Sequence, residues 1–583
     1  MNDIRRTILW VVFGFSLVLL WDQWQIHNGQ KPTFFPQPTA ANSPASPASP
    51  AASPAASGVP TASSTVTPAA NVSQVPGTPT ATPSAPAVPM TPAMPAGLAP
   101  RERIEVATDV LKLTFDTEGG SLVRSEFSHH VDMADHSKPL VLLDESRDRV
   151  YVAQTGLIGG ANGVAYATHK TPMTFSGERD LKEGKDEMTV RFESADVGGL
   201  KLVKTYTLHR ASYDIKVKHE VINTGAAAVS PQLYVQLVRD GNKPAGESAF
   251  YSTFTGPAIY TEAKKYNKVE FIDIDKNKVD IDKTSDTGYV AMVQHYFASA
   301  WLLADGISRE NFARKVDTNL YAVGMITPIK DVAPGQSKSV EAILFTGPQE
   351  EKKLEALAPG LDLVKDYGWL AMLAKPLYWL LDKLFGILNN WGWSIVALVL
   401  LLKIAFYWLN AKAYASMAKM KAINPRIMDM RERLKDKPQE MQQEMMKIYR
   451  EEKVNPMGGC FPIMVQIPVF IALYWVLLST VEMRNAPWVG WIHDLSAPDP
   501  FFILPVVMTL STLLQTALNP APPDPMQAKM MWIMPLVFSV MFFFFPSGLV
   551  LYWITNNILS IAQQWVINTR MGVPPQFNMP KFN

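Results

Sequence analysis

The residues of this chain best placed to do chemistry are polar groups set inside apolar runs. Lys403 stands in the middle of ALVLLLKIAFYWL, Ala397–Leu409. A cation at the centre of a membrane helix costs roughly 2.5 to 3.5 kcal/mol on insertion scales, which confines such residues to a bundle interior or a watery cavity. Lys403 lies about eight residues from the end of its run at Ala411, roughly 12 Å at helical rise, so snorkelling covers only part of the way to the headgroups. Other apolar stretches hold uncharged companions: Gln466, Gln515, Asn556 and Asn557. Polar side chains in lipid need partners, so together these predict an interior face of amides and water around Lys403. Singly, each could equally bond helix to helix.

Conventional catalysis has little to work with. Cys460 is the one cysteine, which excludes an intramolecular disulfide and a cysteine zinc cluster. Beside Gly458 and Gly459 it reads as a packed small residue rather than a nucleophile. The nine histidines show no HExxH or i, i+4 spacing, and no GxxxxGK[ST] loop is present. No catalytic residue, metal or cofactor is therefore expected. A net charge of +1 argues against a polycation, hence against DNA as a partner.

The elements that must position these residues fall into segments. Residues 1–24 place Arg5 and Arg6 before an apolar run and two tryptophans, the pattern of an uncleaved transmembrane anchor. Residues 25–100 are rich in Ala, Pro, Ser and Thr and read as a tether without a core. Over 101–347 the chain alternates at period two in runs such as VLKLTF, Val110–Phe115, and YDIKVKHEVIN, Tyr213–Asn223, predicting a large β-sandwich. Its Asp214, His219 and Glu220 read as surface charge rather than a sugar site. Residues 348–390 include an amphipathic interfacial helix with Leu377, Leu380, Leu381, Leu384 and Leu388 on one face.

Spans are expected at 391–411, 461–482 and 501–518, joined by loops at 483–500 and 519–529. Met530–Asn568 holds no charged residue, and as one helix it would reach nearly 60 Å, about twice the hydrocarbon core. It must be two spans, 530–545 and 548–567, broken at FPSG and followed by a tail at 568–583. The segment Lys412–Lys453 carries eleven Lys and Arg whereas Met483–Asp499 carries one Arg, so the former is cytoplasmic. The whole is a polytopic α-helical membrane protein of six spans with an external β-domain. Within 412–460, Ile427, Met430 and Leu434 and then Met441, Met445 and Ile448 form two helical stripes around LKDKP, a helical hairpin. Its methionines could offer an adaptable surface to apolar clients or hold the two helices together.

These motifs have a family likeness. SMAKMKAINP (Ser416–Pro425), REEKVNPMGGCFPIMVQIPVFIALYWVL (Arg450–Leu477), WIHDLSAPDPFFILP (Trp491–Pro505), DPMQAKMM (Asp524–Met531) and FPSGLVLYW (Phe545–Trp553) closely resemble the YidC/Oxa family of membrane insertases, and GYVAMVQHYFASAW (Gly288–Trp301) is similar to its periplasmic domain. The resemblance implies a Gram-negative inner-membrane protein whose five C-terminal spans enclose a hydrophilic groove, open to cytoplasm and lipid, beside a supersandwich of galactose-mutarotase kind. It implies that Lys403 takes the place of the family's groove arginine, losing the planar five-donor fork. Trp408 stands where many relatives have proline, which implies a straighter span. Ile467, Phe470 and Phe542 match the apolar slide for clients, and Met430, Met441 and Met445 the contact on the hairpin. The implied partners are nascent membrane proteins, the Sec translocon (SecYEG with SecDF), membrane lipids and the ribosome, although a tail whose basic residues are Arg570 and Lys581 argues against strong ribosome attachment.

Two rival readings use the same residues. Polar groups inside a bundle suit a secondary transporter, but no repeated half and no mid-span acid is present. A membrane-anchored periplasmic carbohydrate-active protein would need one anchor, not several.

Overall fold

A computed structural model describes residues 101–133, 135–159, 164–244, 253–435, 437–452, 461–519, 525–570, 572 and 577. The expected anchor and tether, Cys460 and most of the tail lie outside them. The described chain forms two compact units, one within residues 101–364 and one from Lys365 onward.

The first unit is a sandwich of two antiparallel sheets. One sheet runs in spatial order through Arg103–Ala107, Leu111–Asp116, Ser121–Val131, Val150–Ile158, Gln232–Asp240, Leu320–Pro328, Arg309–Asp317 and Thr284–Ser285, with Pro139–Val141 and Asp144–Glu145 paired off this path. The other runs through Lys265–Lys268, Gly256–Thr261, Tyr289–Gln294, Phe297–Leu303, Ser337–Pro348, Asp214–Asn223, Leu200–His209, Glu187–Ser194 and Met173–Gly177. Period-two alternation sets the faces: in Glu187–Ser194 the residues Met188, Val190 and Phe192 point inward while Glu187, Thr189 and Arg191 face out. Two short helices, α1 (Phe271–Asp275) and α2 (Glu351–Leu357), complete the unit.

A polar seam crosses this core. Lys204 is fully buried and donates to the carbonyls of Gly119 at 2.6 Å and Thr155 at 2.8 Å, joining the sheets. His219 lies against the Trp301 ring and shares a hydrogen bond with the Thr155 hydroxyl at 3.0 Å. The expectation of His219 as surface charge is therefore corrected: it is wholly buried, in step with Ile215, Val217 and Val221 on the inward face of its strand. Asp214 and Glu220 are half-buried.

The second unit is helical: α3 (Ala371–Leu388), α4 (Trp391–Ala405), α5 (Tyr407–Arg433), α6 (Pro438–Glu451), α7 (Phe461–Ser479), α8 (Ile503–Leu518), α9 (Pro525–Phe542) and α10 (Ser547–Arg570). Helix α3 packs Ala374, Tyr378 and Leu381 onto α4 and α7 and leaves Met372, Trp379 and Ile387 exposed, so its outer face is apolar as well as charged. Asn390 caps α4 by accepting the Trp393 amide at 3.1 Å. The Trp488 ring lies so close over Gly392 that a Cβ there would clash at 2.2 Å. The unbroken charge-free run is two helices, since α9 stops at Phe542 and α10 starts at Ser547.

One expectation fails in this unit. The chain does not run straight past Trp408: α4 ends at Ala405, α5 starts at Tyr407, and the axes bend by 68°. Helix α5 then continues through Pro425 to Arg433 as the hairpin's first helix. Among the described residues no single helix is long and apolar enough to cross a membrane alone; α4 with the start of α5 passes only as a bent pair.

Candidate functional site

The helical unit contains a cavity of about 360 Å³ whose wall is built from α4, α5, α7, α8 and α10. Lys403 faces it from the last turn of α4. Its ammonium donates to the Ser560 hydroxyl oxygen at 2.7 Å, and that hydroxyl has already given its own proton to the Asn556 carbonyl, also at 2.7 Å. Ser560 can therefore only accept from Lys403. An ammonium has three donors, and one hydroxyl is its hydrogen-bond partner among the described residues.

Of the residues read from the sequence, Gln466, Gln515 and Asn556 line this cavity with Lys403. Asn557 does not. One position along a helix turns a side chain by about 100°, so Asn556 and Asn557 cannot face the same space. The Asn557 amide instead donates to Ser511 at 3.0 Å and Thr512 at 2.9 Å on α8, where it is almost fully buried. Gln564, two turns further on that face, donates to the Leu518 carbonyl at 3.3 Å. Helix α10 thus carries two polar stripes, one toward the cavity and one that bonds it to α8.

The apolar candidates divide in the same way. Ile467 and Phe470 line the cavity, and Ile467 is also largely exposed. Phe542 is corrected: it is buried, 5.0 Å from the Trp553 ring and 5.3 Å from that of Phe545. In the hairpin, Met430 is fully buried with Ile423, Ile427 and Ile448, and Met441 and Met445 pack half-buried against them. These methionines hold α5 to α6, so as a client surface they are corrected; Met428 and Met446 are the ones left exposed. Ion pairs from Arg426 to Glu451 and Glu452, each 2.7 Å, close the open end of the hairpin.

Sequence reasoning missed Asn410, Gln563 and Ser560. Asn410 is buried and accepts from Gln466 at 2.5 Å while donating to Gln563 at 3.1 Å. Ser560 and Gln563 follow Asn556 at i+4 and i+7, and Asn410 follows Lys403 at i+7, so helical spacing carried the missing signal.

Known proteins fit this arrangement along its whole length. Residues 103–380 match the family described as YidC periplasmic domain, and residues 381–573 match the family described as 60Kd inner membrane protein. The membrane protein insertase YidC of Cupriavidus metallidurans is 54% identical over 573 residues, covering 98% of each chain. The chain belongs to the YidC family of membrane protein insertases. That of Bordetella pertussis is 51% identical over 572 residues, again 98% of each chain. A solved structure titled an active YidC insertase with its first transmembrane domain resolved covers 79% of this chain and 91% of its own at 20% identity, with a TM-score of 0.36. This insertase therefore acts on nascent membrane proteins at the inner membrane and is not an enzyme in the usual sense.

Proposed function

We propose that clients are inserted through the cavity around Lys403, which serves as a hydrophilic groove open to the cytoplasm and to lipid. The observation that carries this reading is the ammonium of Lys403: a cation whose hydrogen-bond partner among the described residues is one hydroxyl, on a wall of Gln466, Gln515 and Asn556, is a site prepared for an acceptor. An acidic or polar tail entering there meets a charge and water in place of hydrocarbon, which lowers its desolvation cost. The membrane potential assists an acidic tail by about 2.3 kcal/mol per charge per 100 mV. As the tail leaves, the apolar part of the client slides past Ile467 and Phe470 into lipid, where burial of its apolar side chains drives the step.

This reading carries a topology. Residues 1–24 anchor the chain, 25–100 tether the sandwich outside, and five spans enclose the groove, with α5 and α6 as a cytoplasmic hairpin and both termini inside. Some clients reach the groove from the Sec translocon or directly from the ribosome.

The test is Lys403→Leu in proteoliposomes with paired single-span clients that differ only in tail charge. Insertion of the acidic-tailed client is expected to fall about tenfold and that of the neutral one less than twofold. Equal insertion of both at the native rate would remove Lys403 from the route.

A further inference from the structure

Three side chains and one backbone carbonyl form a directional chain beside the cavity. The Gln466 amide on α7 donates to the Asn410 oxygen on α5 at 2.5 Å, and the Asn410 amide donates to the Gln563 oxygen on α10 at 3.1 Å. The Gln563 amide then donates to the backbone carbonyl of Lys403 on α4 at 3.4 Å. That carbonyl belongs to the last turn of α4, where backbone acceptors lose their intrahelical partners. Phe406 closes the Leu402 carbonyl at 2.9 Å, and its own carbonyl accepts from the Asn410 amide nitrogen at 3.0 Å as the first bond of α5. A side chain that takes a carbonyl out of the i to i+4 ladder is one of the few causes of a sharp helix break, and here neither proline nor glycine stands between Lys403 and Asn410. The 68° bend thus sits where Gln563 reaches in.

We infer that Asn410 and Gln563 are positioning residues for Lys403: the relay Gln466–Asn410–Gln563–Lys403 carbonyl holds the helix break that aims the ammonium into the cavity, and separation of α7 from α5 by an entering client releases it. The reasoning rests on the groove reading. The first link is the only one of the three that joins α7 to the others, so it is the one a chain passing between α7 and α5 must break. Amide-to-amide bonds suit a latch, because water or a client's polar backbone can replace them at little net cost. Once Asn410 turns away, Gln563 loses its donor and the Lys403 turn loses its anchor.

The experiment uses the full chain in proteoliposomes with Cys460→Ala, which removes the one native cysteine. Asn410→Cys with Gln466→Cys, bridged by a short bifunctional methanethiosulfonate, fastens α5 to α7. Insertion of a neutral-tailed single-span client is expected to fall at least tenfold below that of the unbridged double-cysteine protein and to return to that protein's level on reduction; undiminished insertion by the bridged protein overturns the latch. Gln563→Leu leaves Lys403 in place and tests the positioning role without a bridge. It is expected to lower insertion of acidic-tailed clients about fivefold and of neutral-tailed clients less than twofold; an equal loss for both, the mark of a merely structural residue, overturns it. Lys403→Leu in parallel separates the two readings. If it splits the clients while Gln563→Leu does not, the relay falls and the groove stands; if Lys403→Leu fails to split them, the groove cation itself is wrong.

Discussion

Lys365 and Lys403 are two lysines of one helical unit, the first buried and the second half-buried, and their surroundings are opposites. The Lys365 side chain has no exposure at all; its ammonium lies 3.4 Å from the Glu482 carboxylate and 3.9 Å over the Tyr378 ring. Tyr378 in turn donates its hydroxyl to Glu482 at 2.7 Å, so charge, ring and carboxylate form a closed set. Among the described residues Lys403 meets one hydroxyl, and it lines the cavity. Lys365 is matched by a counter-charge, whereas the proposed groove lysine has one hydroxyl as its partner among the described residues, so the two differ in partners as well as in burial.

The comparison breaks most sharply at Glu482. Glu482→Ala takes the Glu482 carboxylate away from the buried Lys365, and removing one partner of such a pair costs about 3 kcal/mol, at the low end of the usual range because Glu482 is partly exposed. The expected outcome is a clear fall in the thermal midpoint of the purified protein in detergent, with Tyr378 also losing its acceptor. Lys403→Leu, measured the same way, should cost nothing or stabilise slightly, because it removes an uncompensated cation. A midpoint that fell equally for both variants would mean that Lys403 too is a structural ion.

Lys204 offers a third environment, with two carbonyls and no counter-charge inside the sandwich. Burial disfavours its ammonium and brings its pKa down to about 7 from the ordinary 10.5. Between those values the unfolded chain holds the extra proton, so unfolding takes one up and stability rises with pH across that window; below about 7 the whole penalty is present. His219 acts in the same direction at acid pH: burial, with the nearby Lys204 charge adding to it, lowers it to about 3, so stability falls as pH drops from 6.5 toward that value. The urea midpoint of the sandwich, read by limited proteolysis of the full chain, is expected to be higher at pH 9.5 than at pH 7. Lys204→Met should flatten that slope, and a slope that survives the substitution would place the titration elsewhere.

What could be read in advance follows a physical rule. Lys403, Gln466 and Asn556 were legible because a polar group inside an apolar run is costly wherever the helix points. Asn410 and Gln563 were not, since they sit toward the ends of their runs, where polar residues carry no such cost; only their i+7 spacing from Lys403 and Asn556 links them to the site. The alternation that revealed the sandwich also placed His219 on the inward parity of Ile215, Val217 and Val221, yet residue type was allowed to outweigh period. The break at Phe406 had no sequence mark, since neither proline nor glycine stands there, and the bond that Gln563 makes beside it comes from α10, remote in sequence. Phe542 and Met430 are buried, the usual outcome for apolar residues at helical spacing, whereas the client contacts were implied for them by the family resemblance.

The finest cut through the comparison lies between Asn556 and Asn557, adjacent in sequence and opposed in duty. Hydrogen bonds between helices in a membrane are worth about 0.6 kcal/mol on average, because the separated helices find other partners. Asn557→Leu removes two such donors to α8, and the hydroxyls of Ser511 and Thr512 keep their bonds to the Met508 carbonyl. A loss of about 1 kcal/mol in stability is therefore expected, with insertion of acidic-tailed and neutral-tailed clients reduced alike or not at all. Asn556→Leu changes no bond between α10 and α8; its backbone carbonyl still holds the Ser560 proton, but its side chain on the cavity wall becomes apolar. It should leave the thermal midpoint in place and lower insertion of the acidic-tailed client about threefold. If the two variants exchanged these signatures, the stripe facing α8 would be the client's path and the cavity around Lys403 would be packing.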